Sequence, residues 1–250
     1  MEDRGTAAYA AEFIGTFVLV VAITLAASNY AIQPTDALPN PFVDFSVIGT
    51  VHTFALFILI QALALASGAH FNPAVTTAMV ALKQIKVSTA GVYILAQLAG
   101  AVLAALVTKL LLSDFPNAEA ANYGAPAISD RLDGSTALGM LGERLGTFFL
   151  VFTIVAVAVN PEGPKAWAGL AIGASLGLAV FCIGPLTGGS FNPARAFGPA
   201  LVSGEFGGAD VFLLAYVVAP VLGGLVAAVG YFNLYIAPGK KGEGGMEPVG

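Results

Sequence analysis

Six long stretches of the chain carry no charged residue, and they set its organisation. By sequence position they are 13–35, 45–82, 87–108, 145–161, 166–194 and 211–239. A helix needs about 20 apolar residues to cross a hydrocarbon core of ~30 Å, so each stretch is long enough, or nearly so, for one crossing. We therefore predict six transmembrane helices, near 7–27, 47–67, 88–112, 139–159, 166–186 and 211–236.

The composition agrees with a membrane protein and excludes several function classes. Of the 250 residues, 57% are hydrophobic and only 10% are charged, against roughly 25% charged in soluble domains. A net charge of −5 offers no basic patch, so we expect no nucleic-acid partner. No Cys/His cluster has the spacing of metal ligands, so we expect no metal and no cofactor. The one cysteine, Cys182, allows no intrachain disulfide, and we expect it in the core of the fifth helix.

The basic residues also predict an orientation. On one side of the six crossings they are Arg4, Lys83, Lys86, Lys165, Lys240 and Lys241. The other side has only Arg131 in a free loop, with Lys109, Arg144 and Arg195 at or inside helix ends. By the positive-inside rule both termini are then cytoplasmic, in a multi-pass protein that we assign to the plasma (inner) membrane. The tail at 239–250 is rich in glycine and is predicted to be disordered.

The two halves of the chain contain the same elements in the same order. Glu12–Val20 and Glu143–Val151 share the pattern E-x-x-G-T-F-x-L-V. Ser67–Ala74 and Thr187–Ala194 both end in Phe-Asn-Pro-Ala, and a Tyr-x-x-Ala-x-x-x-Gly pattern follows in each half. Each unit holds three crossings, an odd number, so the second half enters the membrane from the opposite face. We predict one transmembrane domain over 1–250, with inverted repeats at about 7–112 and 139–237 and an outside linker at about 113–138.

The second element of each repeat is too long for a single crossing. Residues 45–82 fit a full helix, a loop and a short half-helix that begins at Asn72-Pro73-Ala74. Asn192-Pro193-Ala194 begins the matching half-helix. Asparagine suits the N-cap, and proline suits the first turn, where its missing N–H costs nothing. Because the repeats are inverted, the two positive helix ends would meet near the bilayer centre.

Two inverted Asn-Pro-Ala boxes, an arginine directly after the second, and E-x-x-x-T near the start of each half resemble the aquaporin (major intrinsic protein) family over residues 7–237. The resemblance implies an all-α membrane channel with six transmembrane helices and two re-entrant half-helices. It also implies a homotetramer with one pore per subunit. Such a chain is a passive channel in a lipid bilayer, not an enzyme, and we find no catalytic constellation in the sequence.

Several polar residues have both a structural and a functional interpretation. Glu12 and Glu143 lie in apolar stretches, where they mark either a transport path or a structural anchor. The family resemblance favours anchors that accept hydrogen bonds from the loops before the half-helices. His70 is interpreted as a structural hydrogen-bonding partner of its loop. Gly100, Gly223 and Gly224 are expected to permit close helix packing.

The resemblance also implies a selectivity filter. Counting from the two asparagines gives His52, Val180 and Gly189, with Arg195 as the filter arginine. A core histidine and a membrane-edge arginine are the plainer alternatives for His52 and Arg195. This set resembles that of plant tonoplast-type aquaporins, which pass water and in some cases ammonia.

The expected solutes are water and other small neutral molecules. Glycerol-conducting relatives carry Asp directly after the arginine and a basic residue four positions later, where this chain has Ala196 and Ala200. The water-selective branch is therefore favoured, with exclusion of protons and ions. A glycerol or urea facilitator, an inverted-repeat secondary transporter and a membrane scaffold of the same fold remain the alternatives.

Overall fold

The structure is a computed structural model that describes residues 5–31, 41–115 and 119–238. The predicted disordered tail at 239–250 lies outside these residues. Arg4, Lys240 and Lys241, on which part of the orientation argument rests, also lie outside them.

Helices make up most of the described chain, and they follow the predicted order. They are α1 (Gly5–Ala31), α2 (Pro41–Ser67), α3 (Pro73–Ala81), α4 (Val87–Leu111), α5 (Thr136–Val159), α6 (Lys165–Thr187), α7 (Pro193–Ser203) and α8 (Ala209–Ile236). Six of them are long and apolar enough to cross a membrane, while α3 and α7 are half-length. Within the described ranges there is no strand. The protein is an integral multi-pass membrane protein with two re-entrant half-helices, as the sequence predicts.

The outward surface is apolar, as a lipid-facing surface must be. Leu65 is fully exposed, Leu95 is 68% exposed, and many other leucines and phenylalanines point outward. The polar side chains of the crossings are turned inward instead: Glu12, Gln97 and Glu143 are all 0% exposed. This reversal of the soluble pattern places the hydrogen-bonding groups where protein, not lipid, can satisfy them.

The two repeats interlock, which brings the half-helices together. Within the repeats α1 packs on α4 and α5 packs on α8, while α2 and α6 pack on each other across the halves. The half-helices cross over as well: α3 packs against α8, and α7 packs against α4. Each half-helix is therefore held mainly by a crossing helix of the other half.

Glycines at related positions permit this close packing, as predicted. A Cβ atom placed on Gly100 would lie 2.5 Å from the carbonyl oxygen of Phe13. A Cβ on Gly223 would overlap the carbonyl oxygen of Arg144. Phe13 and Arg144 are equivalent in the two repeats, so the same backbone contact is made twice.

One expectation about the core is wrong. Cys182 lies on α6 as expected, but its side chain is exposed. All faces of a membrane-crossing helix are apolar, so the periodicity that separates core from surface in a soluble helix is weak here. The residue pattern therefore does not distinguish the lipid-facing side of α6 from its buried side.

Candidate functional site

A cavity of about 360 Å³ runs into the interior of the helix bundle. Five of the predicted site residues line it: His52, His70, Asn72, Asn192 and Arg195. The rest of its wall is largely aliphatic, with contributions from Leu19, Ile23, Leu56, Val75, Leu150 and Leu176. A few polar groups on an otherwise apolar wall are the general design of a small-solute site.

Each half-helix begins in the predicted way. Asn72 has an extended backbone, and its Oδ1 accepts a hydrogen bond of 2.8 Å from the backbone N–H of Ala74. Asn192 Oδ1 accepts from the N–H groups of Ala194 and Arg195 at 3.0 and 3.3 Å. Pro73 and Pro193 are the first residues of their helices. Both asparagines are therefore N-caps whose oxygens are used by their own helix.

The amide nitrogens of the same two asparagines join the half-helices to each other. Asn72 Nδ2 donates to the carbonyl oxygen of Phe191 at 2.9 Å, and Asn192 Nδ2 donates to the carbonyl oxygen of Phe71 at 2.9 Å. An amide NH₂ carries two hydrogens. One hydrogen on each asparagine is thus committed across the bundle, and both side chains still line the cavity.

Glu12 holds the loop before α3. Its Oε1 accepts from Ser67 Oγ at 2.6 Å and from the backbone N–H of His70 at 2.9 Å. Its Oε2 accepts from the backbone N–H of Phe71 and from Gln97 Nε2, both at 2.7 Å. Four donors compensate for burying this carboxylate inside the membrane.

Glu143 holds the loop before α7 in the same way. Its Oε1 accepts from Thr187 Oγ1 at 2.7 Å and from the N–H of Ser190 at 3.0 Å, and its Oε2 accepts from the N–H of Phe191 at 2.6 Å. The glutamine of the first half has no counterpart here, because Pro220 occupies its position. Each buried carboxylate therefore accepts hydrogen bonds from the loop before one half-helix.

The loops need these anchors because their backbones are strained. Ala69, Phe71 and Phe191 have φ values of 53°, 49° and 51°, in a region that residues other than glycine rarely adopt. Tyr93 and Tyr216 add one hydrogen bond each, donated at 2.9 Å to the carbonyl oxygens that end α2 and α6. Hydrogen bonds from several helices thus fix a conformation that the chain alone would not favour.

His70 is bound into the first loop by both its backbone and its ring. The ring Nδ1 lies 3.1 Å from Thr76 Oγ1, one turn into α3. The ring also packs edge-on against Tyr93, with centroids 5.4 Å apart. Its position is that of a structural partner of the loop that also forms part of the cavity wall.

His52 offers a hydrogen-bond acceptor to the cavity, and Arg195 offers donors. Nδ1 of His52 lies 2.8 Å from the carbonyl oxygen of Ile48, which only accepts, so Nδ1 carries a hydrogen. In the neutral imidazole Nε2 is then an acceptor. That Nε2 is buried without a partner among the described residues. Arg195 is 2% exposed, and its Nη1 donates at 2.9 Å to the carbonyl oxygen of Gly124 in the linker. A small solute between the two could donate to His52 and accept from Arg195.

Val180 and Gly189 are neighbours, but they do not line this cavity. A Cβ placed on Gly189 would lie 3.5 Å from a methyl carbon of Val180, and Val180 is 0% exposed. Neither residue contributes to the cavity wall on which His52 and Arg195 lie. The part of Val180 and Gly189 in a filter with His52 and Arg195 stays a prediction.

Comparison with known proteins decides the family. The sequence profile described as Major intrinsic protein matches residues 3–231. The chain belongs to the major intrinsic protein family. Members of this family are channels and not enzymes.

Relatives of two functional types are found within this family. The aquaporin AqpM of Methanothermobacter thermautotrophicus is 37% identical over 234 residues, which cover 88% of this chain and 94% of the relative. Aquaporin TIP2-1 of Arabidopsis thaliana is 37% identical over 232 residues, covering 92% and 87%. The X-ray structure of the aquaglyceroporin from Plasmodium falciparum matches with a TM-score of 0.72 and 25% identity, covering 93% of this chain and 97% of that one.

Sequence reasoning missed several residues of this major intrinsic protein site. Phe71 and Phe191 act through their carbonyl oxygens, and Gly124 does the same for Arg195. Backbone acceptors leave no mark in a residue pattern. Gln97 and Ser67 could have been found, because each is a polar side chain in an apolar stretch near a repeated motif.

Proposed function

We propose that the protein is a passive water channel that also admits ammonia and excludes protons, ions and glycerol. The observation that carries the proposal is the convergence of Asn72 and Asn192 on one cavity, each with its oxygen held by its own half-helix. The donors available there are amide hydrogens, which favour a molecule that accepts hydrogen bonds at the centre of the membrane.

Proton exclusion follows from the direction of those hydrogen bonds. A water molecule that accepts from both asparagines turns its own hydrogens away from the centre, which interrupts the chain of donors that proton transfer needs. The positive ends of α3 and α7 point at the same place and oppose the entry of cations. This is the general arrangement of aquaporin-type pores.

The solute preference rests on the residues around Arg195. Ala196 and Ala200 are 0% and 2% exposed, and Ala196 packs in a cluster with Ala215 and Tyr216. An acid at position 196, as in the glycerol pattern, would enter this apolar cluster. At the proposed filter positions Val180 has a small side chain and Gly189 has none. We therefore propose that the filter is wider than a strict water filter and lets ammonia pass.

The proposal extends to assembly and location. We place both termini in the cytoplasm, as the basic residues predict, and we assign the protein to the plasma (inner) membrane. We also propose one channel domain for the whole chain and a homotetramer with one pore per subunit. Crosslinking in native-like lipid that traps only monomers would contradict the tetramer and leave the pore intact, because each chain contains both half-helices.

Stopped-flow measurements on proteoliposomes test the function. Water should cross with a low activation energy and ammonia should cross measurably, while glycerol and urea permeabilities should equal those of empty vesicles. Folded protein that leaves water permeability at the level of empty vesicles would overturn the channel. Glycerol flux comparable to water flux would instead favour a glycerol facilitator, and saturation with ion dependence would favour a secondary transporter.

A further inference from the structure

Arg144 is a cation inside a membrane-crossing helix that takes no part in the proposed pore. It lies eight residues after Thr136 on α5, which corresponds to about 12 Å along the helix axis. It is half-buried, and it does not line the cavity. Within residues 5–31, 41–115 and 119–238, its buried Nε has no hydrogen-bond partner.

The fold does not require a charge at this position. The equivalent residue of the first repeat is Phe13, and both residues place their carbonyl oxygens against a glycine of the neighbouring helix. The same backbone contact therefore forms whether the side chain is apolar, as at Phe13, or charged, as at Arg144. An arginine kept in apolar surroundings without a structural role is costly unless it binds an anion.

The part of the chain that the structure describes offers Arg144 no free carboxylate at this depth. Glu143, the preceding residue, has both oxygens committed to the α7 loop. Among the crossing helices the other acids are Asp44, near the start of α2, Glu12, which is 0% exposed, and Asp210, at the start of α8. Asp210 lies 13 residues, about 20 Å along the axis, from the Gly223 that packs on Arg144.

The surroundings of Arg144 point to lipid as the source. Leu141 and Leu145 on the same helix are 50% and 43% exposed, so the guanidinium emerges beside an apolar outer surface. Helical side chains tilt toward the start of their helix, which for α5 is the nearer membrane face. Long basic side chains reach the headgroup region in this way. A guanidinium fork matches the oxygens of a phosphate group.

We propose that Arg144 binds the phosphate group of an anionic phospholipid at the membrane face where α5 begins. The lipid chains lie along Leu141 and Leu145, and the headgroup is drawn toward the guanidinium. The site is separate from the pore, so its occupation stabilises the protein without changing the solutes that pass.

Native mass spectrometry of the purified protein tests this site. The probes are dioleoylphosphatidylglycerol, a galactosyl diacylglycerol that lacks phosphate, and inorganic phosphate. Arg144→Phe, which copies the first repeat, should lower the affinity for the first phosphatidylglycerol about fivefold, or about 1 kcal/mol for one basic residue. Arg144→Lys should keep part of that affinity. Arg131→Gln, at an exposed loop arginine on the same side, should keep all of it.

Several outcomes would overturn the site. Equal phosphatidylglycerol binding by wild type and Arg144→Phe would remove Arg144 from it, and equal retention of the galactolipid by wild type would show that phosphate is not recognised. Displacement of the lipid by inorganic phosphate would assign the site to a dissolved anion. A change in oligomer mass with unchanged lipid binding would place Arg144 between copies of the chain. Water permeability confirms that each variant is folded, and Arg144→Met replaces Arg144→Phe if the ring is not tolerated.

Discussion

Gly146 lies against the ring of Phe191, with no room for a side-chain carbon between them. The same relationship holds between Gly15 and Phe71 in the first repeat. Each phenylalanine supplies the carbonyl oxygen that the opposite asparagine binds. The glycine of E-x-x-G-T-F therefore sets the position of the loop that orients the asparagine of the other half.

Gly146→Ala should disturb both stability and conduction. The new methyl group would overlap the Phe191 ring, and shifting that ring would move the carbonyl oxygen that holds Asn72. Overpacking of this kind typically costs about 1 to 3 kcal/mol. We expect a lower unfolding temperature in detergent and a lower water permeability per folded protein.

Gly91→Ala is the matched control for this substitution. Gly91 is also helical, on α4, and a Cβ there meets nothing within 4 Å. Alanine is a better helix former than glycine by about 1 kcal/mol, so this variant should be as stable as wild type or more stable. Equal effects of the two substitutions would show that the contact between Gly146 and Phe191 does not position the loop.

Glu143→Gln should loosen the α7 loop. The amide keeps one oxygen, but its nitrogen would face a donor that the carboxylate now accepts from, such as the N–H of Phe191. A buried donor left without an acceptor costs about 1 to 3 kcal/mol. Thermal unfolding should report the loss, and Glu162→Gln, at an exposed acid in the loop between α5 and α6, should not shift the midpoint. An unchanged midpoint for Glu143→Gln would mean that the carboxylate is not an anchor.

The fold was predictable because two features of the sequence indicate it strongly. Charge-free stretches locate the crossings, and the repeated motifs around Glu12 and Glu143 show that the second half is inverted. The short helices α3 and α7 were predictable for a local reason: asparagine followed by proline specifies a helix start. These features are physical requirements of a chain in lipid, so they can be interpreted without information on tertiary contacts.

The remaining features depend on contacts that no residue pattern encodes. The hydrogen bond from Arg195 to Gly124 joins residues 71 positions apart through a backbone oxygen. The exposed side of α6 at Cys182 could not be distinguished from its buried side, because both are apolar. For the filter, counting along the chain gave Val180 and Gly189, and their part in the pore stays a prediction.

Arg195→Val should weaken cation exclusion and leave water flow intact. Valine is the residue at the equivalent position of α3, Val75, so the half-helix geometry accepts it. The substitution removes a buried positive charge from the cavity wall together with the hydrogen bond to Gly124. Proton and potassium leak into dye-loaded vesicles should rise, while Arg131→Val, in the exposed loop, should leave the leak unchanged. If Arg195→Val vesicles stay as tight as wild type, Arg195 is not the filter arginine.

Val180→His should reduce ammonia permeability more than water permeability. The imidazole is larger than the isopropyl group it replaces, and Val180 is fully buried beside Gly189, so the added ring would narrow the proposed filter. The imidazole also adds polar nitrogens to the filter. Water can bind them, because it has two donors and two acceptor sites. Ammonia has three donors but only one lone pair, and in the proposed filter Arg195 already engages that lone pair.

Val180→Ile separates the two contributions, because it adds one methylene group and no polar atom. Isoleucine and histidine have similar volumes, so if width alone decides, the two substitutions should lower ammonia flux by similar amounts. If polarity contributes, Val180→His should lower it further than Val180→Ile does. Both fluxes are measured on the same proteoliposomes, by light scattering for water and by an enclosed pH dye for ammonia. An equal reduction of water and ammonia by Val180→His, or an absence of ammonia flux in wild type, would show that the filter is narrower than Val180 and Gly189 imply.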